Sequence, residues 1–471
     1  MISTGIQVLS PEKREQIHDS ALEVLGKGEV LVEEEGLREQ LLSRGAEAGT
    51  GPDRVRIPSE LVKECLATVN RRPVGRCVNG KALHHGPEDR YYSSLVTDPY
   101  IIDFEKGPRR PRLDDIARHA RLGDALPLVD GIHLMDDTVP DLPTPVSELK
   151  CLEAFVSNTT AAYHCAPGSI SATRHWIEIS QIMSGAGLKE NPILNAYVPS
   201  VSPLEITAFN TEQLRLFLDN HVLCNVGPCA IAGGTGPYPV AGLVVQSWAE
   251  FLSLVVAAQV IKPGCPIKGG GGGAHHMDMS SGESMYSGVS KALASAAMNE
   301  LCAWMDIPVS TGNFTTLCSN FGIQNGMEST LGVFATFFSR ANNYGSFGSM
   351  ANALGMSPVQ IVLHHDLVEM LERFRSGIDV TSEKLAVENI AAAGPKGNYL
   401  TDDLTLKYLR SDEHFYATCF EQCAGTRDSK IMAERAREKA EDLMTEHKPA
   451  VPENRLDDVR RYVEKELKKI D

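Results

Sequence analysis

Five consecutive glycines, Gly269–Gly273, are followed at once by His275, His276 and Asp278, and preceded by the short run Cys265-Pro266-Ile267-Lys268. Glycine keeps the backbone permissive and lets another molecule approach it closely. Two imidazoles and a carboxylate directly after such a run could bind a polar ligand, relay protons or hold a metal. The stretch reads as the C-terminal end of a buried strand opening into a pocket, with a flexible surface loop as the alternative.

Comparable clusters recur along the chain. His133 stands with Asp136 and Asp137, Tyr163 with His164, Asn195 with Tyr197, Asn313 with Phe314, and Tyr344 with Phe347; Asn225 stands alone. The set is rich in aromatics, amides and histidines and poor in arginine and lysine, which argues against a phosphate substrate. Aromatic rings with nearby acids suit a quaternary ammonium ion, because cation–π attraction contributes about 0.5–2 kcal/mol per well-placed ring. Taken singly, each ring has core packing as its plainer explanation. Asp136-Asp137 could be a paired acid and base, or a solvated loop pair. His364-His365-Asp366 could serve a carboxylate or a proton relay, or cap the start of a helix. His84-His85 reads as surface.

The rest of the chain must position these groups. Ser10-Pro11 opens a helix with a side-chain cap and proline at its first position; Ile17, Ala21, Val24 and Leu25 share one face, and Gly26 is a natural stop. A second helix is expected over Glu35–Arg44. A third starts at Ser59, with Leu61, Val62, Cys65, Leu66 and Val69 apolar, and breaks at Arg71-Arg72-Pro73. Tyr91, Tyr92, Leu95, Val96, Tyr100, Ile101 and Ile102 look like short strands. Residues 1–112 therefore read as a helical, then β-rich, extension.

From Leu113 the pattern repeats. Strand-like stretches near Val129–Met135, Ala161–Cys165, Pro192–Val198 and Cys224–Ala230 come first. The glycine run, Ile307–Phe314 and Tyr344–Gly348 follow, and each stretch is succeeded by a helical one. Seven such alternations point to a parallel α/β fold, and the count favours a (β/α)8 TIM-type barrel over an open sheet, with the eighth strand unplaced. No G-x-G-x-x-G follows the first strand, which weakens a dinucleotide-binding reading. Residues 113–380 form the expected barrel core. Residues 381–471 read as helices, with charged ones at Ser429–His447 and Asn454–Ile470 whose charge is a solvated face.

Composition narrows the function classes. The chain has 471 residues, 42% hydrophobic, with 45 Lys+Arg against 61 Asp+Glu and a net charge of −16. That balance argues against nucleic acid or anionic membrane as partner and is compatible with a cationic ligand. The opening residues carry no basic-plus-apolar leader, so a cytoplasmic location is expected. No run approaches the ~18 apolar residues of a membrane span. Eleven cysteines are scattered with no C-x-x-C pair, so most are expected to be small buried apolar residues.

The stretches Leu9–Leu25, RIPSELVKECL at Arg56–Leu66, Ser202-Pro203-Leu204, GGTGPYPVAG at Gly233–Gly242 and SNFGIQNGME at Ser319–Glu328 together resemble the trimethylamine methyltransferase family over nearly the whole chain. The resemblance is to its non-pyrrolysine members, which demethylate quaternary amines. It implies a single methyltransferase domain built on a (β/α)8 barrel. It also implies methyl transfer from a quaternary amine, glycine betaine or a relative such as carnitine or proline betaine, to the Co(I) of a corrinoid. A cognate corrinoid protein would present that cobalamin, so no tightly bound cofactor is expected. In the trimethylamine enzymes a pyrrolysine sits late in the barrel; Val309–Asn320, where it would fall, holds only standard residues, which argues against trimethylamine. After the seventh strand the chain reads Ser346-Phe347-Gly348-Ser349, where members often have a His-Asp-x-Gly-like stretch.

The nucleophile would be Co(I) and the leaving group a neutral tertiary amine. No catalytic side chain and no metal ligand is therefore required, and the protein's work is orientation. The expected substrate-binding residues are His275, His276, Asn313 and Gln324 as donors, with Phe314, Tyr344 and Phe347 as rings. A small quaternary amine, the corrinoid protein and further copies of the chain are the expected partners. Two alternatives compete: a non-catalytic quaternary-amine-binding homologue, and a metal-dependent barrel hydrolase using the histidines with Asp136 or Asp278.

Overall fold

A computed structural model describes residues 5–270, 272–421 and 430–470; Gly271 of the glycine run and Ser429, the expected start of a charged helix, lie outside them. Eight parallel strands close into a barrel in chain order: β1 (Tyr91–Thr97), β2 (Val129–Leu134), β3 (Ala162–Cys165), β4 (Leu194–Pro199), β5 (Leu223–Gly227), β6 (Ile267–Gly270), β7 (Val309–Thr311) and β8 (Asn343–Phe347). Helices follow them in turn: α1 (Leu113–Ala125), α2 (Thr144–Val156), α3 (Ile170–Ser184), α4 (Ala208–Asp219), α5 (Val240–Ile261), α6 (Val289–Trp304), α7 (Ile323–Phe337) and α8 (Pro358–Ser376). The barrel is the expected one. Its missing strand is β1, which pairs with both β8 and β2.

That strand corrects the boundary drawn at residue 112. Tyr91–Thr97 is buried at every position and carries the run Tyr-Tyr-Ser-Ser-Leu-Val-Thr, without the alternation of a one-sided strand. It sits before any helix of the repeating series, so chain order alone ties it to the short strands around it.

The segment before the barrel has its own task. Helices Pro11–Lys27, Glu35–Ser43 and Ser59–Thr68 pack on the outer face of α5. The first begins as expected, with Ser10 accepting from the Lys13 amide, but runs past Gly26 to Lys27. Covered on one side by the barrel and on the other by these helices, α5 has sixteen buried residues. It is the one helix among the described residues long and apolar enough to cross a membrane, and enclosure inside the protein accounts for that apolarity.

Trp248 of α5 ties the two layers together: it is fully buried, its Nε1 donates to His18 Nδ1 at 3.0 Å, and it stacks on Phe251 at 4.9 Å. Trp248→Ala removes this anchor and is expected to lower unfolding free energy by about 3–5 kcal/mol, read by chemical denaturation.

The floor of the barrel is plugged by a hairpin of Val74–Arg76 and Ala82–His84, and Cys77 and Leu83 meet Tyr91 and Ala162 there. His85, expected at the surface, is buried in this plug, its Nδ1 2.9 Å from the Tyr91 hydroxyl. A tyrosine oxygen entering the barrel needs a partner, and the residue just after the hairpin is in place to supply one. The C-terminal helices Met432–Glu446 and Glu453–Leu467 lie against α8 and α1, and against α2 and α3, respectively. Eight of the ten described cysteines are buried.

Candidate functional site

Barrel interiors are ordinarily filled by branched apolar side chains. Here the inward positions are polar. Register places His133, His164 and Asn195 side by side across β2, β3 and β4, and Asn225 beside Lys268 across β5 and β6. Ser93 of β1 and Asn343 of β8 complete the ring, with Ser93 Oγ donating to Asn343 Oδ1 at 3.1 Å. These groups line a cavity of about 390 Å³ opening at the C-terminal ends of the strands. That volume suits a small ligand.

Lys268 brings a cationic side chain into this cavity. It is 1% exposed, and its Nζ donates to the Tyr91 hydroxyl at 2.8 Å. Burial pulls its ammonium down from 10.5 to about 7. The imidazoles are held neutral the same way: burial lowers His133 to about 4 and takes His164 and His275 well below their ordinary value. Several inward atoms have no protein partner among the described residues: His133 Nε2, His164 Nε2, Asn195 Oδ1, Asn225 Oδ1 and Thr311 Oγ1. Buried polar atoms are normally paired, so this lining is built for a polar guest.

Near the rim stands Asp98, just past the end of β1. It is 3% exposed, its Oδ2 is unpartnered, and burial with the nearby Asp136 charge lifts its carboxyl to about 8. An unfolded aspartate ionises near 4, so the folded protein keeps a proton that the unfolded chain has released. This contribution therefore falls as pH rises from about 4 to about 8. Asp98→Asn removes the titration. It is expected to leave the melting temperature unchanged at pH 4 and raise it by several degrees at pH 9, measured by thermal unfolding.

A small sheet of Ala230–Ala232, Ala274–Met277 and Ser284–Met285 stands over one side of the mouth. It carries His275, which lines the cavity with its ring 4.0 Å from that of Tyr286. Tyr197 of β4 is the other cavity tyrosine. The glycines make this approach possible: a Cβ on Gly270 or Gly227 would lie 3.2 or 3.0 Å from the other's Cα.

Of the seven residues expected to bind substrate, the structure brings His275 alone to the cavity. His276 follows it on the same short strand and takes the other face. Asn313 is buried, its Oδ1 accepting from Ser295 Oγ at 3.2 Å. Gln324 is exposed on α7, donating to Glu328 Oε1 at 2.8 Å. Phe314 and Phe347 pack on each other at 4.5 Å, and Tyr344 stacks on Tyr92 at 5.4 Å. Tyr344 faces outward by ordinary alternation beside the inward Asn343, and Phe347 is turned outward by a bulge in β8, where pairing with β1 slips between Tyr344 and Phe347. Gly345 and Ser346 take the cavity side, Ser346 at φ 75°, and the rings turn to the helices.

The remaining candidates divide in the same way. His133, His164, Asn195, Tyr197 and Asn225 line the cavity. Asp137 is buried away from it, lifted to about 7 by burial and by Glu148 and Asp136, so the solvated-pair reading does not describe it. Asp278 takes the hydroxyls of Ser280 and Ser281 on an exposed turn. His364 and its neighbours lie two turns inside α8, which starts at Pro358, so they cap nothing; His364 Nδ1 accepts from the Gly348 amide at 3.1 Å.

The hydrolase reading loses its ligand set. Among the described residues, the group whose ligand atoms converge is His365, Asp366 and Glu369 on α8, outside the barrel. There Asp366 is already engaged by the Cys419 amide and Lys439.

Lys268, Asp98, Ser93 and Asn343 were not legible as site residues. Lys268 had one signal, a charge inside an otherwise apolar strand beside the glycines. Ser93 lies on the strand that the repeating pattern leaves unplaced, and Asp98 follows directly after it.

The chain matches the trimethylamine methyltransferase family over residues 2–471. The trimethylamine methyltransferase of Desulfitobacterium hafniense (strain DSM 10664 / DCB-2) is 23% identical over 417 residues, 86% of this chain and 82% of that one. A glycine betaine methyltransferase of Desulfitobacterium hafniense (strain Y51) is 25% identical over 66% of this chain and 65% of its own. Among solved structures, the hydroxylamine complex of MtmB aligns with 92% of each chain at 13% identity and a TM-score of 0.50, a likeness of fold. With a match running almost end to end and a closed eight-stranded barrel beneath it, this chain belongs to the trimethylamine methyltransferase family of enzymes.

Proposed function

We propose that this protein transfers a methyl group from a small betaine, a zwitterion with a quaternary ammonium and a carboxylate, to the Co(I) of a corrinoid carried by a partner protein. One observation carries the reading: the cavity holds a buried Lys268 among amides and neutral imidazoles, and a buried Asp98 near the rim. A carboxylate entering this floor would meet Lys268, Asn195 and Asn225 and favour the ammonium form of the lysine. The ammonium end would then lie toward Asp98, Tyr197 and Tyr286, where ring faces, and a carboxyl that a cation would help to ionise, favour it.

The reaction requires this polarity. A methyl group must reach a cobalt presented by a second protein, so the methyl-bearing end has to face the open mouth. Cobalt supplies the electron pair for the new bond. The C–N pair stays on nitrogen, which leaves as a neutral tertiary amine, so no proton has to be delivered to it. What remains for the protein is desolvation and alignment.

The test is methyl transfer itself. Purified protein with cob(I)alamin and glycine betaine, carnitine, proline betaine, choline, tetramethylammonium or trimethylamine should consume Co(I) with one of the carboxylate-bearing amines. Turnover of trimethylamine alone, or of none, would sink the proposal. Binding supplies a second readout that needs no cobalt. Tetramethylammonium should bind more tightly as pH rises from 6 to 9, by up to about tenfold per unit below pH 8, because its charge displaces the Asp98 proton. Calorimetry on Asp98→Asn should show that dependence gone.

A further inference from the structure

Between α8 and the C-terminal helices the chain runs through residues 377–416 without one buried residue. Its two short helices, Val387–Ala393 and Asp403–Tyr408, bury nothing. The segment is nevertheless shaped. Lys384 bridges Asp379 at 2.8 Å and also pairs with Glu413; Asn389 donates to Asp402 at 2.8 Å; Arg373 of α8 holds the Asp412 carbonyl at 2.7 Å. It is an arm fastened at its base and internally cross-linked.

Its apolar side chains point outward. Ile378 is 91% exposed, Leu400 82%, Leu409 71%, Leu406 62%, Ile390 56% and Leu385 54%. A polar linker would need none of them. Ordering a chain costs entropy that burial must offset, and within a single copy this arm buries nothing.

The body shows the matching surface. On α7, Ile323 (84% exposed), Met327 (68%), Leu331 (41%) and Phe334 (40%) form one stripe at helical spacing. Beneath it the buried Phe338 touches Phe334 at 4.8 Å and Phe374 of α8 at 6.3 Å, the latter 60% exposed and three residues before the arm. Stripe and arm base are thus joined by one aromatic cluster. Such patches mark interaction surfaces.

We infer that the arm of one copy packs on the α7 stripe of a second copy, and reciprocally, so that the protein assembles by exchanging arms about a two-fold axis. At roughly 100 Å² for a Leu- or Ile-sized side chain, the exposed parts of these arm and helix residues offer roughly 700 Å² of apolar surface per copy. Specific, stable interfaces take about 600–1,000 Å² from each partner. Two complementary patches on one chain that do not meet within it are what an isologous pair requires. The inference stands apart from the cavity and its reaction.

Sedimentation equilibrium of the full chain at low micromolar concentration tests it, against two double variants: Ile323→Glu with Met327→Glu on the helix, and Leu400→Glu with Leu409→Glu on the arm. All four side chains are exposed in the single copy, so circular dichroism and the fold of each subunit should be unchanged. The parent protein should sediment as a dimer or a multiple of it. Each double variant should weaken association at least a hundredfold. A parent protein that sediments as a single chain overturns the inference, and so does an assembly that survives either pair of substitutions.

Discussion

Replacing Lys268 by methionine should reduce methyl transfer at least a hundredfold while making the protein more stable at neutral pH. The two effects have one cause. Holding the ammonium where its pKa falls from 10.5 to about 7 costs on the order of 5 kcal/mol relative to the unfolded chain. Methionine fills a similar volume without that cost. The Tyr91 hydroxyl keeps a partner in His85 at 2.9 Å, so no buried oxygen is stranded.

The sign can be checked against pH. The unfolded lysine holds its proton up to about 10.5, whereas the folded one has lost it above about 7. Between these values the wild-type protein gains stability with rising pH, and Lys268→Met should lack that gain. Urea titrations at pH 6.5 and 9.5 read it directly. On activity, the substitution removes the charge that would meet the substrate carboxylate, and losing one partner of a buried charge pair costs about 2–5 kcal/mol. A variant within threefold of wild type in kcat/KM would show that Lys268 is structural and that the betaine polarity is misassigned.

The second large effect is expected at Gly273. A Cβ there would lie 1.7 Å from the Pro228 carbonyl oxygen and 2.7 Å from its carbon. Both are backbone atoms at the end of β5, so relief requires moving one strand end away from the glycine run. Gly273→Ala should therefore cost about 3 kcal/mol, at the upper end for overpacking, and should also damage substrate binding, since His275 follows two residues later. Gly326→Ala on α7 is the control: nothing lies within 4 Å of its Cβ position, and a helical alanine should stabilise by about 0.5–1 kcal/mol. Denaturation midpoints of the two variants should move in opposite directions. Equal stability for Gly273→Ala would mean that the glycine run is not a close-packed seam.

The architecture was legible because it is written in local patterns. Seven strand-like stretches, each followed by an apolar-periodic helix, point to a parallel sheet and by their number favour a closed one, and all seven lie on barrel strands. The buried strand opening at the glycines was legible too, since a five-glycine run after Ile267-Lys268 has little use in a regular surface element. What the sequence determined by itself is therefore the fold class, the end of the barrel at which chemistry would gather, and the family resemblance.

The tertiary structure decided the rest, and the physical reason is register. Along a strand the side chains alternate between the two faces, so residue type does not say which face it takes. Asn195, Asn225 and His164 face inward, whereas Tyr344, equally suited to a cation, falls on the outer face beside the inward Asn343, and one bulge in β8 turns Phe347 outward as well. The first strand had no alternation to betray it because every residue in it is buried. Lys268 acquires its shifted ionisation only when eight strands exclude water from it, a property of closure that no stretch of sequence possesses alone.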